Sequence, residues 1–227
     1  MKLVLRLGGH ALFKNNGGMD TTLIKEYAKN ALQLREEGHI LHIVIGGGTI
    51  ARSYISALSE LGASNALKDY MGMLVTRANA LVLIAALKGY AYSPVPTSYE
   101  GLLEALSSGK IVVCGGLQPG QSTLAVAAIL AETINADYLL NATDVDGVYT
   151  SDPKRDPKAR LLREVTIREL RSLLRRGTLP GTYPLFDDLA LNIIERSRIK
   201  TIVFNGRRPE NILRIAHGER VGTLIKP

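Results

Sequence analysis

Cysteine is nearly absent from this 227-residue sequence. The single one, Cys114, can form no intrachain disulfide, and inside the apolar run KIVVCGG it reads as a small core residue rather than a nucleophile. No apolar run approaches the ~18 uninterrupted residues that a membrane span needs. The opening MKLVLRLGGH carries an arginine and lacks both the long apolar core and the cleavage site of a signal peptide, so a cytoplasmic location without a membrane partner is expected. There is no tandem repeat and no low-complexity tract. GxxxxGK[ST] does not occur, which excludes a P-loop, and the missing GxGxxG leaves a Rossmann dinucleotide site unsupported.

What is present is an ordinary globular composition, 46% hydrophobic, enough to fill one large α/β domain or two lobes sharing a sheet. The net charge of +7 is uneven. Residues 1–150 hold 11 basic and 12 acidic side chains, whereas residues 151–227 hold 17 and 9. Much of the excess lies in ARLLREVTIRELRSLLRR (159–176), whose leucines recur at helical spacing, so its arginines are expected on a solvated helix face; a polyanion-steering or nucleic-acid-binding surface is the alternative.

Strand-like and helix-like segments alternate from end to end. KLVLRL (2–7), HILHIVI (39–45), KIVVCGG (110–116), DYLLNAT (137–143) and KTIVFN (200–205) are short apolar runs that end in glycine, asparagine or threonine. Between them, DTTLIKEYAKNALQLREEG opens on Asp20 as N-cap and closes at Gly38, TIARSYISALSELG closes at Gly62, and STLAVAAILAETI follows a Pro-Gly turn. Strands apolar throughout and separated by helices indicate a mostly parallel sheet covered on both faces. The longest helical stretch, 65–89, is apolar on more than one face in its second half, which suggests burial at an inter-lobe or subunit contact. The longest loop candidate is 144–160.

Four strand-like runs end in polar or glycine-rich loops, and strand ends of this kind are where open α/β sheets bind ligands. These loops are GGH after Leu7, GGG after Ile45, GGLQPGQST after Cys114 and TDVDGVYTSDP after Ala142. Glycines leave backbone N–H groups open to a close anion, and helix N-termini at Thr49 and Ser122 add partial positive charge. In IVIGGGTIARSY, Arg52 is expected on the first turn of the helix after the triple glycine, facing back over it. Phosphate is the anion this pattern suits.

LRLGGH, GGGTIAR, LKDYMG, GGLQPGQSTLAVAA and TDVDGVYTSDP occur in an order and spacing that resembles the amino acid kinase superfamily over essentially the whole chain, and within it most closely the archaeal-type uridylate (UMP) kinases. The resemblance implies a three-layer α/β/α fold with a central, mostly parallel sheet in a single domain spanning residues 1–227. An N-terminal lobe of about residues 1–135 would hold UMP and a C-terminal lobe of about residues 136–227 would hold ATP. It also implies Mg²⁺ with the ATP, UTP as a feedback inhibitor, a homohexamer built as a trimer of dimers, and a transferase role in pyrimidine nucleotide biosynthesis.

Carried over position by position, Gly47, Asp69 and the loop Leu117, Gln118, Pro119, Gly120, Gln121, Ser122 and Thr123 resemble the UMP contacts. Gly9, His10, Gly48 and Arg52 resemble the contacts to the ATP phosphates, and Thr143, Asp144, Tyr149 and Asp152 those to adenine and ribose. Their chemistry agrees: the loop offers amides and two hydroxyls, and Asp69 can accept from a ribose diol; the less favoured alternatives are a solvated helix carboxylate for Asp69 and a packing residue for Tyr149. Arg6 interrupts an apolar strand where many relatives have a lysine, so it serves either the phosphates or an ion pair between lobes. With Arg52 it is the candidate catalytic cation. No side chain is assigned to a metal.

Three departures qualify the resemblance. Leu124 stands where relatives often have an acid, Asp144 where asparagine is common, and Asn192 where many have a lysine directed at the transferred phosphoryl group. The rival readings are an isopentenyl phosphate kinase-like phosphotransferase, which GGGTIARSY disfavours because it lacks the histidine typical there, and a weakly catalytic nucleotide sensor that touches nucleic acid through its arginine-rich third.

Overall fold

The computed structural model describes residues 1–14, 17–153, 156–175 and 186–227. The chain begins with β1 (Lys2–Leu7), a short 3₁₀ turn at Gly9–Leu12, α1 (Thr21–Glu36), β2 (Ile40–Ile45), α2 (Gly48–Glu60) and α3 (Asn65–Leu87). It continues through α4 (Tyr99–Ser107), β3 (Val113–Cys114), α5 (Thr123–Thr133), β4 (Tyr138–Thr143), β5 (Glu164–Thr166) and α6 (Ile167–Arg175). The last elements are α7 (Asp188–Arg196), β6 (Lys200–Asn205), α8 (Asn211–Ala216) and β7 (Thr223–Lys226). Among the described residues seven strands form one sheet in the order β3-β2-β1-β4-β6-β7-β5, parallel except for the β6–β7 pair.

Alternation along the strands builds two cores. Leu3, Leu5 and Leu7 of β1 meet α1, α3 and α8 on one face, while Val4 meets the layer of α4, α5, α6 and α7 on the other. The α/β/α layering expected from the sequence is therefore present. Helix α1 shows how the local signals act: Asp20 caps it by accepting from Leu23 N–H at 3.1 Å, and Ile24, Tyr27, Ala28, Ala31 and Leu34 supply its buried stripe.

Two expectations need correction. The 110–116 strand is only two residues long at its ladder, because the His42 ring takes the Val112 N–H at 3.1 Å and Gly115 turns away against Thr76. The arginine-rich segment is not one helix. Residues Glu164–Thr166 pair with β7, and α6 starts only afterwards, at a reciprocal cap in which Thr166 N–H donates to the Glu169 carboxylate and Glu169 N–H to Thr166 Oγ1. The last residue of the arginine-rich segment, Arg176, lies outside the described residues, as do 154 and 155 within the 144–160 loop.

Helix α3 is long and apolar enough by composition to cross a membrane, yet Ala80, Leu83, Ile84 and Leu87 pack it into the core under β1 and β2. Its other side leaves Leu67, Leu74 and Leu81 exposed, and Tyr54 of α2 and Leu61 at that helix's C-cap are exposed as well.

Candidate active site

Strands β3, β2, β1 and β4 are adjacent and parallel, so the four loops singled out in the sequence leave from one edge of the sheet. Two of them touch backbone to backbone. A Cβ on Gly9 would stand 2.1 Å from the Gly48 nitrogen and 2.5 Å from the Gly46 carbonyl oxygen, so only glycine permits the approach. Gly48 has φ +68° and opens α2, one residue earlier than the sequence suggests, with Gly47 as its cap and no side-chain oxygen on its first amides. Asn79 of α3 holds this turn from beneath, its Nδ2 donating to the Gly46 carbonyl at 2.9 Å and the Gly47 carbonyl at 3.3 Å.

The third loop is fastened to the same helix. Thr76 Oγ1 accepts from Gly116 N–H at 2.7 Å, while Arg77 donates to the carbonyls of Gly116, Leu117 and Thr97. Asp69, exposed two turns earlier on α3, accepts the Gly120 amide at 3.1 Å, which joins two parts of the expected UMP set. Gln118, Pro119 and Gly120 are exposed and Gln121 is half-buried. At the loop's end Ser122 caps α5 by accepting from Ala125 N–H, and its own proton goes to the carboxylate of Asp187, the N-cap of α7. Thr123 differs: its Oγ1 accepts from Arg6 Nε at 3.4 Å, and its proton is unused among the described residues. Leu124 is buried in the core beneath α5, so the side chain that replaces the acid of relatives packs rather than faces the loops.

Arg6 projects from β1 into this space, half-buried. Its contacts are long ones to neutral oxygens, Thr123 Oγ1 and, at 3.5 Å, Asn141 Oδ1, and no carboxylate lies within ion-pair distance among the described residues. Burial pushes its pKa down to about 10, opposed by the charges of Asp144 and Asp187, so the group stays cationic at neutral pH. The ion pair between lobes considered for Arg6 is not formed. His10 follows in the 3₁₀ turn, and burial lowers its pKa, against the pull of Asp144 and of the Thr143 carbonyl. Its Nε2 is buried without a hydrogen-bond partner among the described residues.

Beyond β4 the fourth loop is tied to β6 and β7. The Thr143 hydroxyl is turned to the carbonyls of Val145 and Phe204. Asp144 is exposed. Tyr149, half-buried and bridged to Leu161, donates its hydroxyl to Asp146; burial and that carboxylate raise its pKa. Asp146 also accepts from Asn205 Nδ2 at 3.0 Å, and Arg207 ties β6 to the 3₁₀ turn through the carbonyls of His10 and Phe13. Asp152 is half-buried, its carbonyl accepting from Asp156 N–H at 2.8 Å.

Arg52 is the fifth residue of α2, exposed and without a hydrogen bond or ion pair among the described residues, hence one residue further into the helix than expected but uncommitted. Asn192 is not turned to the loops: it is exposed on α7 and accepts from Arg171 at 2.7 Å. Arg171 is in turn no solvated arginine, since it also pairs with Asp188 and Glu195. Sequence reasoning missed Thr76, Arg77 and Asn79, whose pairings with the loops span 20 to 40 residues, as well as Asp146, Asp187 and Asn141. Only Asn141 carried a readable signal, the one used for Arg6: a polar side chain inside an apolar strand.

The family model described as the amino acid kinase family matches residues 1–205. The uridylate kinase of Hyperthermus butylicus is 47% identical over 203 residues, which cover 89% of this chain and 90% of that one. That of Methanothermobacter thermautotrophicus is 44% identical over 228 residues, covering both chains fully at 100%. Among solved structures, the uridylate kinase of Archaeoglobus fulgidus superposes with a TM-score of 0.86 at 43% identity, over 99% of this chain and 100% of that one.

Proposed function

The chain belongs to the amino acid kinase family, and from that premise we propose that it is a nucleoside monophosphate kinase, moving the γ-phosphoryl group of ATP reversibly to UMP to give UDP. The observation that carries this reading is Arg6, a cation set among converging glycine loops with only neutral oxygens as partners. Such a group is matched by an anion from outside the protein.

In the reaction a phosphate oxygen of UMP attacks the γ-phosphorus in line, and the bond to the β-bridging oxygen of ATP breaks. The UMP phosphate is already largely ionised near neutral pH, so no general base and no covalent enzyme intermediate are needed. Arg6 and Arg52 offset charge at the transferred group, the amides around Gly9, Gly47 and Gly48 receive phosphate oxygens, and the Thr123 proton is free to donate to one. Asp69 and the 117–123 loop hold UMP in the N-terminal lobe, while Thr143 to Asp152 form the ATP side in the C-terminal lobe.

Mg²⁺ fits this site as a nucleotide-borne ion. Among the described residues no three His, Cys, Asp or Glu side chains cluster to cage it, and Mg²⁺ keeps water and phosphate oxygens readily. When bound it neutralises phosphate charge. The exposed apolar side chains of α2 and α3 support packing between copies on that face, within the homohexamer proposed here. Feedback by UTP, a part in pyrimidine biosynthesis and a cytoplasmic setting complete the proposal.

A coupled ADP-release assay with ATP, Mg²⁺ and a panel of UMP, CMP, AMP and isopentenyl phosphate tests it. UMP should give the highest kcat/KM. An equal or higher value for any other acceptor would overturn the assignment.

A further inference from the structure

Asn141 is wholly buried at the centre of the sheet, with Arg6 as its register partner across the parallel β1–β4 pair. Its strand neighbour on the same face is Leu139, and Val203 stands opposite on β6, so an amide lies among apolar side chains. Oδ1 accepts from the Arg6 guanidinium at 3.5 Å, while Nδ2 has no acceptor among the described residues. An unpaired buried donor lowers stability, and a leucine, which has no polar atom to satisfy, would avoid that, as it does at Leu139 and Leu140. A polar group kept where an apolar one fits better points to a role other than stability.

Given the reaction proposed above, on which this inference rests, we propose that Asn141 is a positioning residue for Arg6. Its amide is too deeply buried to meet a ligand directly. What it does is orient the guanidinium without discharging it. A carboxylate at this place would form an ion pair and cancel the charge that phosphoryl oxygens need, whereas an amide oxygen fixes direction and leaves the full charge available. Thr123 Oγ1, at the start of α5, provides the second neutral contact, so Arg6 is held from two elements and matched by neither. The orphaned Nδ2 is the consequence of turning Oδ1 toward the cation.

The test is a double-mutant cycle read as kcat, both KM values and thermal melting. Asn141→Leu should melt at or above the wild-type temperature yet lose ~10-fold in kcat, with both KM values within about threefold. Asn141→Asp should lose at least as much kcat, because it pairs with Arg6. In an Arg6→Ala background Asn141→Leu should have no further effect on kcat, the signature of acting through Arg6. Should leucine fold poorly, Asn141→Ala serves in the same cycle. Near-wild-type kcat in Asn141→Leu, or losses that multiply independently with Arg6→Ala, would overturn the inference while leaving UMP turnover by the wild type intact. Turnover of a different acceptor with the same non-additive pattern would overturn the UMP assignment and keep the role of Asn141.

Discussion

Arg77 Nε donates to the carbonyl oxygen of Gly116 at 2.9 Å, so the middle of α3 is fastened to the loop that follows β3. The same guanidinium reaches Leu117 and Thr97, and the residue before it, Thr76, takes the Gly116 amide. Because β3 is only two residues long, the sheet itself does little to place that loop. The helix does it instead, and two residues further on Asn79 holds the glycine turn before α2.

Arg77→Ala should therefore raise the KM for UMP at least ~10-fold while the KM for ATP changes little, since the acceptor loop loses two carbonyl anchors, at Gly116 and Leu117. Melting should fall by an amount equivalent to about 1–3 kcal/mol, the range for buried groups left unpaired. Steady-state kinetics at saturating co-substrate and a thermal melt check both. Equal increases in the two KM values would instead indicate a general loosening of the fold.

Asp69 and Gly120 meet at 3.1 Å, so the carboxylate expected to read the UMP sugar also fixes the loop beside it. Asp69→Ala should raise the KM for UMP and leave that for ATP nearly unchanged, because a hydrogen bond to a charged group is worth roughly 1.5–3 kcal/mol. Asp69→Asn keeps an acceptor for the Gly120 amide and should lie between alanine and wild type. An asparagine variant as impaired as alanine would show that charge, not loop anchoring, is what Asp69 supplies.

His42 makes a pH prediction. It is buried, its Nδ1 accepts the Val112 N–H, and burial lowers its pKa from 6.5 to about 4. Above pH 6.5 the ring is neutral in both folded and unfolded chains and has no effect on the pH dependence of stability. As pH falls from 6.5 to 4 the unfolded chain takes up the proton first, so stability is lost across that window and the loss levels off below it. The shift corresponds to about 3 kcal/mol. His42→Gln lacks the titration, so urea unfolding at pH 7 and pH 4 should show the wild type losing about that much more than the variant. Parallel acid profiles would exclude the effect.

Much of the site was readable because its signals are local: strand runs end in glycines, Ser122 and Asp20 cap the helices after them, and Arg6 breaks an apolar run. What escaped depends on pairing across the fold. Thr76, Arg77 and Asn79 read as ordinary positions on a long apolar helix until their loop partners, 20 to 40 residues away, are known. The arginine-rich segment misled because leucine spacing over ARLLREVTIRELRSLLRR outweighed the short Thr166–Glu169 capping signal, and three residues suffice for an edge strand that pairs with β7. Asn192 stands where the resemblance implies a lysine directed at the transferred phosphoryl group, and α7 turns the asparagine outward to Arg171.

That outward network gives a prediction with a small expected effect. Arg171 joins α6 to α7 through Asp188, Asn192 and Glu195, partners that are largely exposed. Arg171→Gln should lower stability by no more than about 1 kcal/mol and leave kcat within twofold. A large, salt-sensitive loss of activity would favour a polyanion-binding role for this surface, which an RNA-binding titration of wild type and variant would then have to reproduce.

Arg6 carries the sharpest test. Its long contacts go to Thr123 and Asn141, both neutral, and the nearest opposing charges, Asp144 and Asp187, act on it without an ion pair. Removing the side chain therefore breaks no buried salt bridge, and the folded protein should melt within a few degrees of wild type. The kinetic loss should be much larger. If the guanidinium stabilises charge that peaks in the transition state, Arg6→Ala should lower kcat by ~100-fold, corresponding to about 2.7 kcal/mol, with modest change in either KM. Arg6→Lys should recover much of this, because a point charge suffices to offset phosphoryl charge even without the bidentate fork. A folded Arg6→Ala protein that retains more than about a third of wild-type kcat would refute the role, since a cation at the reaction centre worth less than that is not supporting the chemistry.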